Sequence, residues 1–227
     1  MPVSAATEAP AAGTIASTIA EHVRQNDAKP VSGQSRILDV GSGMGHHLAR
    51  ITEAFAPSVA SLGLDISRDA ARQAARRWPM LAFAVADLWR EWPVQDGVID
   101  LVISIFAPRN FPEAARVFRS GGWLAVVYPG TDHMAELRDR FGLMRRHEPA
   151  GHRYTEAVKR FVGTPTIHRL RSQILLDDAA IRSAILMGPN ARRISASVLD
   201  AELGPIAVTF DFIMLFARKS EGRSRTC

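Results

Sequence analysis

Acidic residues and glycines follow one another at a spacing that suits a nucleotide-like ligand. Asp39 stands two residues before the first of three alternating glycines, Gly41, Gly43 and Gly45. Glycines leave the backbone bare, so a ligand can approach such a turn without meeting a Cβ atom. Asp65 follows about 20 residues after the last of these glycines, the distance at which a carboxylate at a strand end reaches the hydroxyl groups of a ribose.

The glycines lie between a predicted strand and a predicted helix. Residues Arg36–Val40 lack polar alternation, which is typical of a strand buried in a parallel sheet. A helix is predicted from about His46 to Phe55, and its free N–H groups and positive dipole end would face the ligand. The dinucleotide form of this unit needs a small residue where this chain has His46. The pattern instead resembles motif I of the class I S-adenosylmethionine-dependent methyltransferases.

This resemblance implies S-adenosyl-L-methionine as cofactor, with the glycines under its methionine moiety and Asp39 near its ammonium group. Ile66 offers an apolar face for the adenine. In the family an Asp and the next backbone N–H contact the adenine ring, which points to Asp87 and Leu88, although Asp87 also fits a simple turn. Ile105, at the end of the fourth strand, completes the predicted cofactor contacts.

The rest of the chain predicts an α/β fold. We expect a seven-stranded, Rossmann-like sheet, mostly parallel with an antiparallel last strand, and helices on both faces. The predicted strands are Arg36–Val40, Val59–Ile66, Leu81–Ala86, Val98–Ile105, Trp123–Tyr128, Thr166–Leu176 and Val208–Ala217. Further helices are predicted after the second strand. One is capped by Ser67 and extends to Arg77, and another spans Glu113–Phe118. A basic stretch from Thr131 to about Val162 and the segment Asp177–Met187 are also predicted to be helical.

Three segments are predicted along the chain. Residues 1–33 form a tail, disordered to about Ala12, and a helix that begins near Thr14. This helix either packs on the sheet edge, the slightly favoured interpretation, or covers the cofactor as a lid. Residues 34–218 form the methyltransferase domain, and residues 219–227 form a basic tail.

Composition limits the classes of function. The chain has 227 residues, a net charge of +5, a pI of about 10.1 and one cysteine, Cys227. One cysteine excludes a disulfide framework and a thiolate zinc site, and no metal site is predicted. The excess of basic over acidic residues permits nucleic-acid binding, although a high arginine content also follows from codon bias.

No apolar run reaches the ~20 residues that span a bilayer, and no signal pattern is present, so we expect a cytoplasmic protein without a membrane partner. The sequence does not indicate an oligomeric state.

The methyl acceptor is expected where ligands of open α/β sheets bind, outside the carboxyl ends of the strands. The loop after the fourth strand supplies the predicted substrate contacts Phe106, Arg109 and Asn110. Four residues are candidates for assisting proton removal. His46 and His47 start a helix whose dipole disfavours the imidazolium form, Tyr128 ends the fifth strand, and His133 is predicted to open a helix. A packing or solvated role is the commoner alternative for each of them.

A closer resemblance extends over most of the chain, from about Arg36 to Arg218. Residues 105–108, 114–123 and 129–137 are similar to the bacterial 23S rRNA (guanine-N1)-methyltransferase family. That family carries an N-terminal four-cysteine zinc module, for which this sequence lacks the cysteines, and an aromatic pair where this sequence has His46-His47.

Both departures favour a small planar heteroaromatic acceptor over RNA. We expect a small-molecule aromatic substrate, for example an indole in natural-product biosynthesis. One alternative is an rRNA guanine-N1 methyltransferase that lacks the zinc module and binds RNA phosphates through the basic stretch from Arg138 to Arg171. A second alternative is a cofactor-binding protein without catalysis.

Overall fold

A computed structural model describes residues 5–26, 35–55, 59–143, 150–187 and 203–220 of the chain. Side chains are described within these ranges except for residues 5–12, Ala150 and Met187. Predictions for residues 1–4 and for most of the basic C-terminal tail lie outside the described residues. No helix in the described ranges is long and apolar enough to cross a membrane.

Strands and helices alternate along most of the described chain. The strands are β1 Arg36–Val40, β2 Ala60–Asp65, β3 Ala82–Val85, β4 Ile99–Ile105, β5 Phe118–Pro129, β6 Thr166–Leu176 and β7 Ile206–Arg218. The helices are α1 Ala5–Asn26, α2 His46–Phe55, α3 Arg68–Arg77, α4 Phe111–Val117, α5 Ala135–Phe141, α6 Ala150–Phe161 and α7 Asp178–Met187. The strands form one sheet in the order β3-β2-β1-β4-β5-β7-β6, which confirms the predicted fold class.

The order of the strands reverses between β1 and β4. Strand β1 pairs in parallel with both β2 and β4, and β4 pairs in parallel with β5. Both β1 and β4 are almost entirely buried, in agreement with their largely apolar sequences. In contrast, β5 and β7 are antiparallel, because Lys219 N donates to Gly122 O and Gly130 N donates to Asp211 O. Ligands of such sheets bind at the reversal, outside the carboxyl ends of the strands, where the glycine turn follows β1.

The described residues fall into two compact units. The larger unit draws on residues 12–128, 151–168 and those from Met214 onward, so it contains the glycine turn and the loops after β3 and β4. The smaller unit draws mainly on residues 129–143, 169–187 and 203–213. In the smaller unit the buried Asp211 carboxylate accepts hydrogen bonds from Arg169 Nε at 2.7 Å and Asp132 N at 3.2 Å.

The first helix begins earlier than the sequence indicated. Helix α1 starts at Ala5, so the prediction of disorder up to Ala12 was wrong for residues 5–12. Five alanines among these eight residues favour helix, and the helix includes Pro10. The predicted apolar stripe is confirmed, because Ile15, Ile19 and Val23 are fully buried.

Three later boundaries also differ from the predictions. Strand β5 starts at Phe118 instead of Trp123 and includes Gly121-Gly122, where Gly121 has a φ of +76° and the pairing with β4 is irregular. Helix α4 starts at Phe111 instead of Glu113, because the Asn110 side chain caps it. The predicted continuous basic helix is divided, since α5 ends at Gly142, a left-handed residue with a φ of +61°.

His22 lies in the core. Its ring is 7% exposed, stacks on the Phe216 ring at 4.0 Å between centroids and meets the Trp123 ring edge-on at 5.5 Å. These contacts place this part of α1 on strands β5 and β7, in agreement with the packing interpretation. A lid function for α1 stays a prediction. Burial, followed by the charge of His168, lowers the pKa of His22 below its ordinary value.

Replacing His22 should therefore reduce the loss of stability in mild acid. The pKa of His22 is lower in the folded than in the unfolded chain, so protonation below about pH 6.5 favours unfolding. We expect thermal unfolding of the wild type to lose more degrees between pH 7.5 and pH 5.5 than that of His22→Phe, which keeps an aromatic ring in the same space. Identical pH dependence of the two melting temperatures would contradict this assignment.

Candidate active site

The glycine turn after β1 is fixed by groups at the end of β2. Gly41 N and Ser42 N both donate hydrogen bonds to Leu64 O, at 2.8 and 3.0 Å. Gly43 N donates to Asp65 Oδ2 at 2.8 Å. All three glycines of the turn have positive φ angles, +83°, +52° and +77°, which residues with a Cβ rarely adopt. The predicted turn and the predicted ribose-binding carboxylate therefore lie side by side.

Asp65 keeps capacity for a ligand. Its Oδ1 accepts from Ser67 N at 2.8 Å, and its Oδ2 accepts the bond from Gly43 N. A carboxylate has about four acceptor positions, so two remain for the neighbouring hydroxyls of a ribose. The next side chain, Ile66, is 70% exposed and presents apolar surface beside this carboxylate.

Asp39 is a buried carboxyl group at the end of β1. Its side chain is 2% exposed, and burial, together with the nearby charge of Asp65, raises the pKa of Asp39 to about 8. Among the described residues, no cationic side chain forms an ion pair with Asp39. A ligand with an ammonium or sulfonium charge would stabilise the ionised form of this carboxyl group, so the residues present fit such a ligand.

The remaining predicted cofactor contacts lie at the ends of β3 and β4. Asp87 Oδ1 accepts a hydrogen bond from Trp89 N at 3.0 Å, so Asp87 forms the local turn that the sequence left as an alternative. Leu88 is buried, and its carbonyl accepts bonds from Trp92 Nε1 and Asn110 Nδ2, both at 3.1 Å. Ile105 is buried at the end of β4. Adenine contacts by Asp87 and Leu88 stay predictions.

The predicted substrate loop after β4 contains an unusual backbone conformation and several hydrogen bonds to other parts of the protein. Phe106 has a φ of +56°, which is unusual for an aromatic residue, and its side chain is 47% exposed. Arg109 donates to Tyr154 Oη and to Val127 O, both at 3.1 Å. Asn110 caps α4 and donates to Leu88 O. Arg109 and Asn110 thus have structural roles in addition to the predicted contact with substrate.

The two histidines at the start of α2 differ in their surroundings. The His46 ring lies edge-on to Trp78, with centroids 6.0 Å apart, whereas the His47 ring lies 6.1 Å from Phe106. Burial, and to a smaller degree the charge of His46, lowers the pKa of His47 to about 4. His47 is therefore neutral at physiological pH. Its buried Nδ1 has no hydrogen-bond partner among the described residues.

Tyr128 and His133 are less suited to accept a proton. Burial raises the pKa of the Tyr128 phenol, so the group is protonated at neutral pH and can donate a hydrogen bond. His133 belongs to the smaller unit and lies in the turn before α5, which corrects the prediction that it opens the helix. Its Nδ1 accepts from Asp211 N at 3.3 Å, and its ring packs against Phe212. His133 is thus bonded within its own unit.

A cavity of about 400 Å³ lies beside the loop after β4, and sequence reasoning did not find it. Six of its lining residues are Trp89, Pro108, Arg109, Phe111, Arg153 and Tyr154. The sequence gave two partial signals, because Arg109 was a predicted substrate contact and Trp89 directly follows the predicted cofactor contact Leu88. Arg153 and Tyr154 come from α6, whose position no motif indicated. Within the described residues, no group of three or more His, Cys, Asp or Glu side chains could hold a metal ion.

Several known proteins are similar to this chain in sequence or in fold. Residues 37–122 match the family model described as a methyltransferase domain. The chain is 41% identical, over 68% of its length, to the 23S rRNA (guanine(748)-N1)-methyltransferase of Streptomyces fradiae. It is 34% identical, over 86% of its length, to a Micromonospora griseorubida protein provisionally named a 23S rRNA (guanine-N1)-methyltransferase. The chain spans 55% and 68% of the lengths of these two relatives.

The chain belongs to the class I S-adenosylmethionine-dependent methyltransferases. Within that group it stands near the 23S rRNA (guanine-N1)-methyltransferases. A solved structure of a provisionally named methyltransferase from Bacillus halodurans has the same fold, with a TM-score of 0.60 at 17% identity over 89% of this chain and 99% of that one. The predicted activity class and the predicted cofactor, S-adenosylmethionine, are confirmed.

Two glycines of this methyltransferase's turn should respond differently to alanine. A Cβ on Gly41 would overlap Ala107 Cβ, whereas a Cβ on Gly43 would point into open space. We expect Gly41→Ala to lower the melting temperature by well over the 2–4 °C that corresponds to about 1 kcal/mol. Gly43→Ala should cost less stability but weaken binding of S-adenosylhomocysteine at least tenfold, measured by calorimetry. Unchanged affinity of Gly43→Ala would show that the turn does not face the cofactor.

The buried carboxyl group of Asp39 should couple cofactor binding to pH. Its pKa is higher in the folded than in the unfolded chain, so it lowers stability as the pH rises from about 4 to about 8. We therefore expect Asp39→Asn to melt above the wild type at pH 8 yet bind S-adenosylmethionine more weakly. Calorimetry at pH 7 in buffers of different ionisation enthalpy should detect proton release on binding that is smaller in Asp39→Asn. Equal proton release by the two proteins would contradict the role of Asp39.

Proposed function

We propose that this methyltransferase transfers the methyl group of S-adenosylmethionine to N1 of a guanine in 23S rRNA. The similarity to the two rRNA guanine-N1 methyltransferases named above, which extends over 68% and 86% of the chain, carries the proposal. The small heteroaromatic acceptor that the sequence favoured has no support among these relatives, so the RNA alternative replaces it.

The cofactor would lie across the reversal between β1 and β4. The Asp65 carboxylate would accept hydrogen bonds from the ribose hydroxyls, and Ile66 would pack against the adenine ring. The buried Asp39 would approach the cationic methionine end, where its charge is stabilised. Asp87 and the Leu88 N–H would contact the adenine, while the glycine turn leaves room for the methionine moiety. The positions of these groups at the strand ends support the proposed roles.

Methyl transfer to guanine N1 requires that a proton be removed. The S–CH₃ bond of the sulfonium breaks and leaves its electron pair on sulfur, while the new bond forms between N1 and the methyl carbon. The N1–H proton is released, so the products are S-adenosylhomocysteine, N1-methylguanine and a proton. The protein's contribution is orientation, exclusion of water and an acceptor for the proton.

His47 is the group best suited to accept the hydrogen bond from N1–H. It is neutral at physiological pH and half-buried beside Phe106, which follows β4, and its buried Nδ1 has no hydrogen-bond partner among the described residues. A pKa of about 4 makes it a weak base, so it would orient N1–H and pass the proton onward more readily than hold it. Tyr128, with its raised pKa, would serve as a hydrogen-bond donor.

The charge of the chain is compatible with a polyanionic substrate. The net charge is +5, and the exposed face of α6 carries several basic side chains: His152, Arg153, Lys159 and Arg160. One acidic residue, Glu156, lies on the same face and pairs with Lys159 at 2.8 Å. Basic groups on one helix can neutralise RNA phosphates, which gives binding that weakens as salt increases.

A labelling assay distinguishes RNA from small heteroaromatic acceptors. Tritiated S-adenosylmethionine would be supplied with unmodified 23S rRNA, with a hairpin transcript around guanine 748, or with a panel of indoles. We expect label in both RNAs and a single new stop of reverse transcriptase, because a methyl group on N1 blocks Watson–Crick pairing. His47→Gln should lower turnover at least tenfold while cofactor affinity stays within about twofold, since this residue would act on the acceptor.

The matched control is a transcript in which adenine replaces that guanine. Labelling of an indole without any labelling of RNA would refute the proposed substrate and restore the heteroaromatic one. Label in RNA without a block to reverse transcription would mean that an atom other than N1 is methylated.

A further inference from the structure

The cavity beside the loop after β4 has walls of a particular chemical type. Trp89 lies on the loop after β3, Arg109 on the loop after β4, Phe111 on α4, and Arg153 and Tyr154 on α6. All of them belong to the larger unit. The walls therefore combine aromatic rings with guanidinium groups, and the volume of about 400 Å³ falls within the range of small-ligand pockets.

The cavity lining is connected through the chain to residues that border the glycine turn. A Cβ built on Gly41 would overlap Ala107 and come within 3.6 Å of Leu88 Cδ1, so both side chains border the turn. The residues that follow them in the chain, Pro108 and Trp89, line the cavity. Along the chain, two residues of the cavity lining are therefore direct neighbours of the residues that border the glycine turn.

Trp89 presents a large aromatic surface at this cavity. Its side chain is 69% exposed, whereas Trp92 is 2% and Trp123 is 6% exposed. The hydrogen bond from its backbone N–H to Asp87 Oδ1 fixes the local turn. Exposed indole rings on a fixed backbone are suited to stacking with unpaired bases, whose faces are all aromatic.

Two arginines give the cavity its positive charge. The Arg109 guanidinium lies 4.3 Å from the centre of the Tyr154 ring and also donates to the Tyr154 hydroxyl. This contact holds α6 against the loop after β4. Arg153 precedes Tyr154 on α6 and is exposed, so its guanidinium group can reach a phosphate at the edge of the cavity.

We propose that this cavity receives the acceptor base after it has left the stack of the RNA. Trp89 provides the stacking face, and Arg153 contacts the phosphate of the same nucleotide. The proposal rests on the proposed function, because it assigns the pocket in which that substrate is held. Enzymes that act on a base within a folded nucleic acid extrude that base into a pocket of this kind. The extruded base is then recognised by stacking and by contacts with polar groups.

Steady-state kinetics on the guanine 748 transcript test the two assigned residues. Trp89→Ala should lower kcat/KM for the transcript by roughly 5- to 150-fold, the range for loss of one base-stacking ring, and Trp89→Phe should recover most of it. The affinity for S-adenosylhomocysteine should stay within about twofold in both variants. Tryptophan fluorescence of the wild type should be quenched on RNA binding, and Trp89→Phe should lose that quenching.

Salt dependence tests Arg153 separately. Arg153→Ala should reduce the slope of log affinity against log salt concentration by about 0.7 to 1, which corresponds to one phosphate contact. Arg72→Ala, an exposed arginine on α3 outside the cavity lining, is the matched control and should leave the slope unchanged.

The outcomes separate the pocket from the substrate. A wild-type protein that labels no RNA removes the proposed function and the pocket assignment together. A wild type that methylates the transcript, with Trp89→Ala equally active, removes only the pocket assignment. The pocket assignment would also be overturned if Trp89→Ala lost affinity for S-adenosylhomocysteine to the same degree as it lost kcat/KM, because Trp89 would then contact the cofactor.

Discussion

The hydrogen bonds between the end of β2 and the glycine turn are the constraint on which the site depends. Two N–H groups of the turn share the Leu64 carbonyl, and Gly43 N binds the Asp65 carboxylate. Because Asp65 holds the turn and is also the proposed ribose contact, one strand end would position both ends of the cofactor. The turn is therefore organised before the cofactor binds, which lowers the conformational entropy lost on binding.

The proximity of two carboxyl groups, Asp39 and Asp65, destabilises this part of the folded chain. Asp39 is buried near Asp65, so its ionised form is costly in the folded chain, as its pKa of about 8 indicates. A core position of this kind would be more stable with an apolar or amide side chain. The carboxyl group fits the proposed contact with a cation, and binding of that ligand would relieve the instability. Under this proposal, function and stability make opposite demands on a single position of β1.

The sequence allowed the fold and much of the cofactor turn to be predicted because these depend on local order. Strands without polar alternation mark the buried parallel sheet, and the alternating glycines mark the turn after β1. The break after α5 was missed because a single left-handed glycine, Gly142, ends a helix within an otherwise continuous basic pattern. The burial of His22 could not be predicted from local sequence, because it depends on Phe216, nearly two hundred residues further along the chain.

The aromatic cavity was not predictable for a related reason. It brings together Trp89 and Tyr154, which are separated by more than sixty residues and belong to elements that no short motif connects. The packing of α6 depends on the contact between Arg109 and Tyr154, and on Gly151, where a Cβ would lie 3.0 Å from the Tyr128 hydroxyl. Such contacts follow from side-chain packing across the fold, whereas the cofactor turn follows from adjacent residues.

Asn110 connects the two halves of the site through one short side chain. Its oxygen caps α4, at the start of the helix that follows the acceptor loop, and its nitrogen holds the carbonyl of Leu88 beside the cofactor turn. In evolutionary terms, position 110 is therefore pleiotropic. A change there that adapted the proposed acceptor loop to a new substrate would also affect the neighbourhood of the cofactor. Under the proposed function, a change of acceptor would therefore be easier at cavity-lining residues such as Trp89 and Arg153.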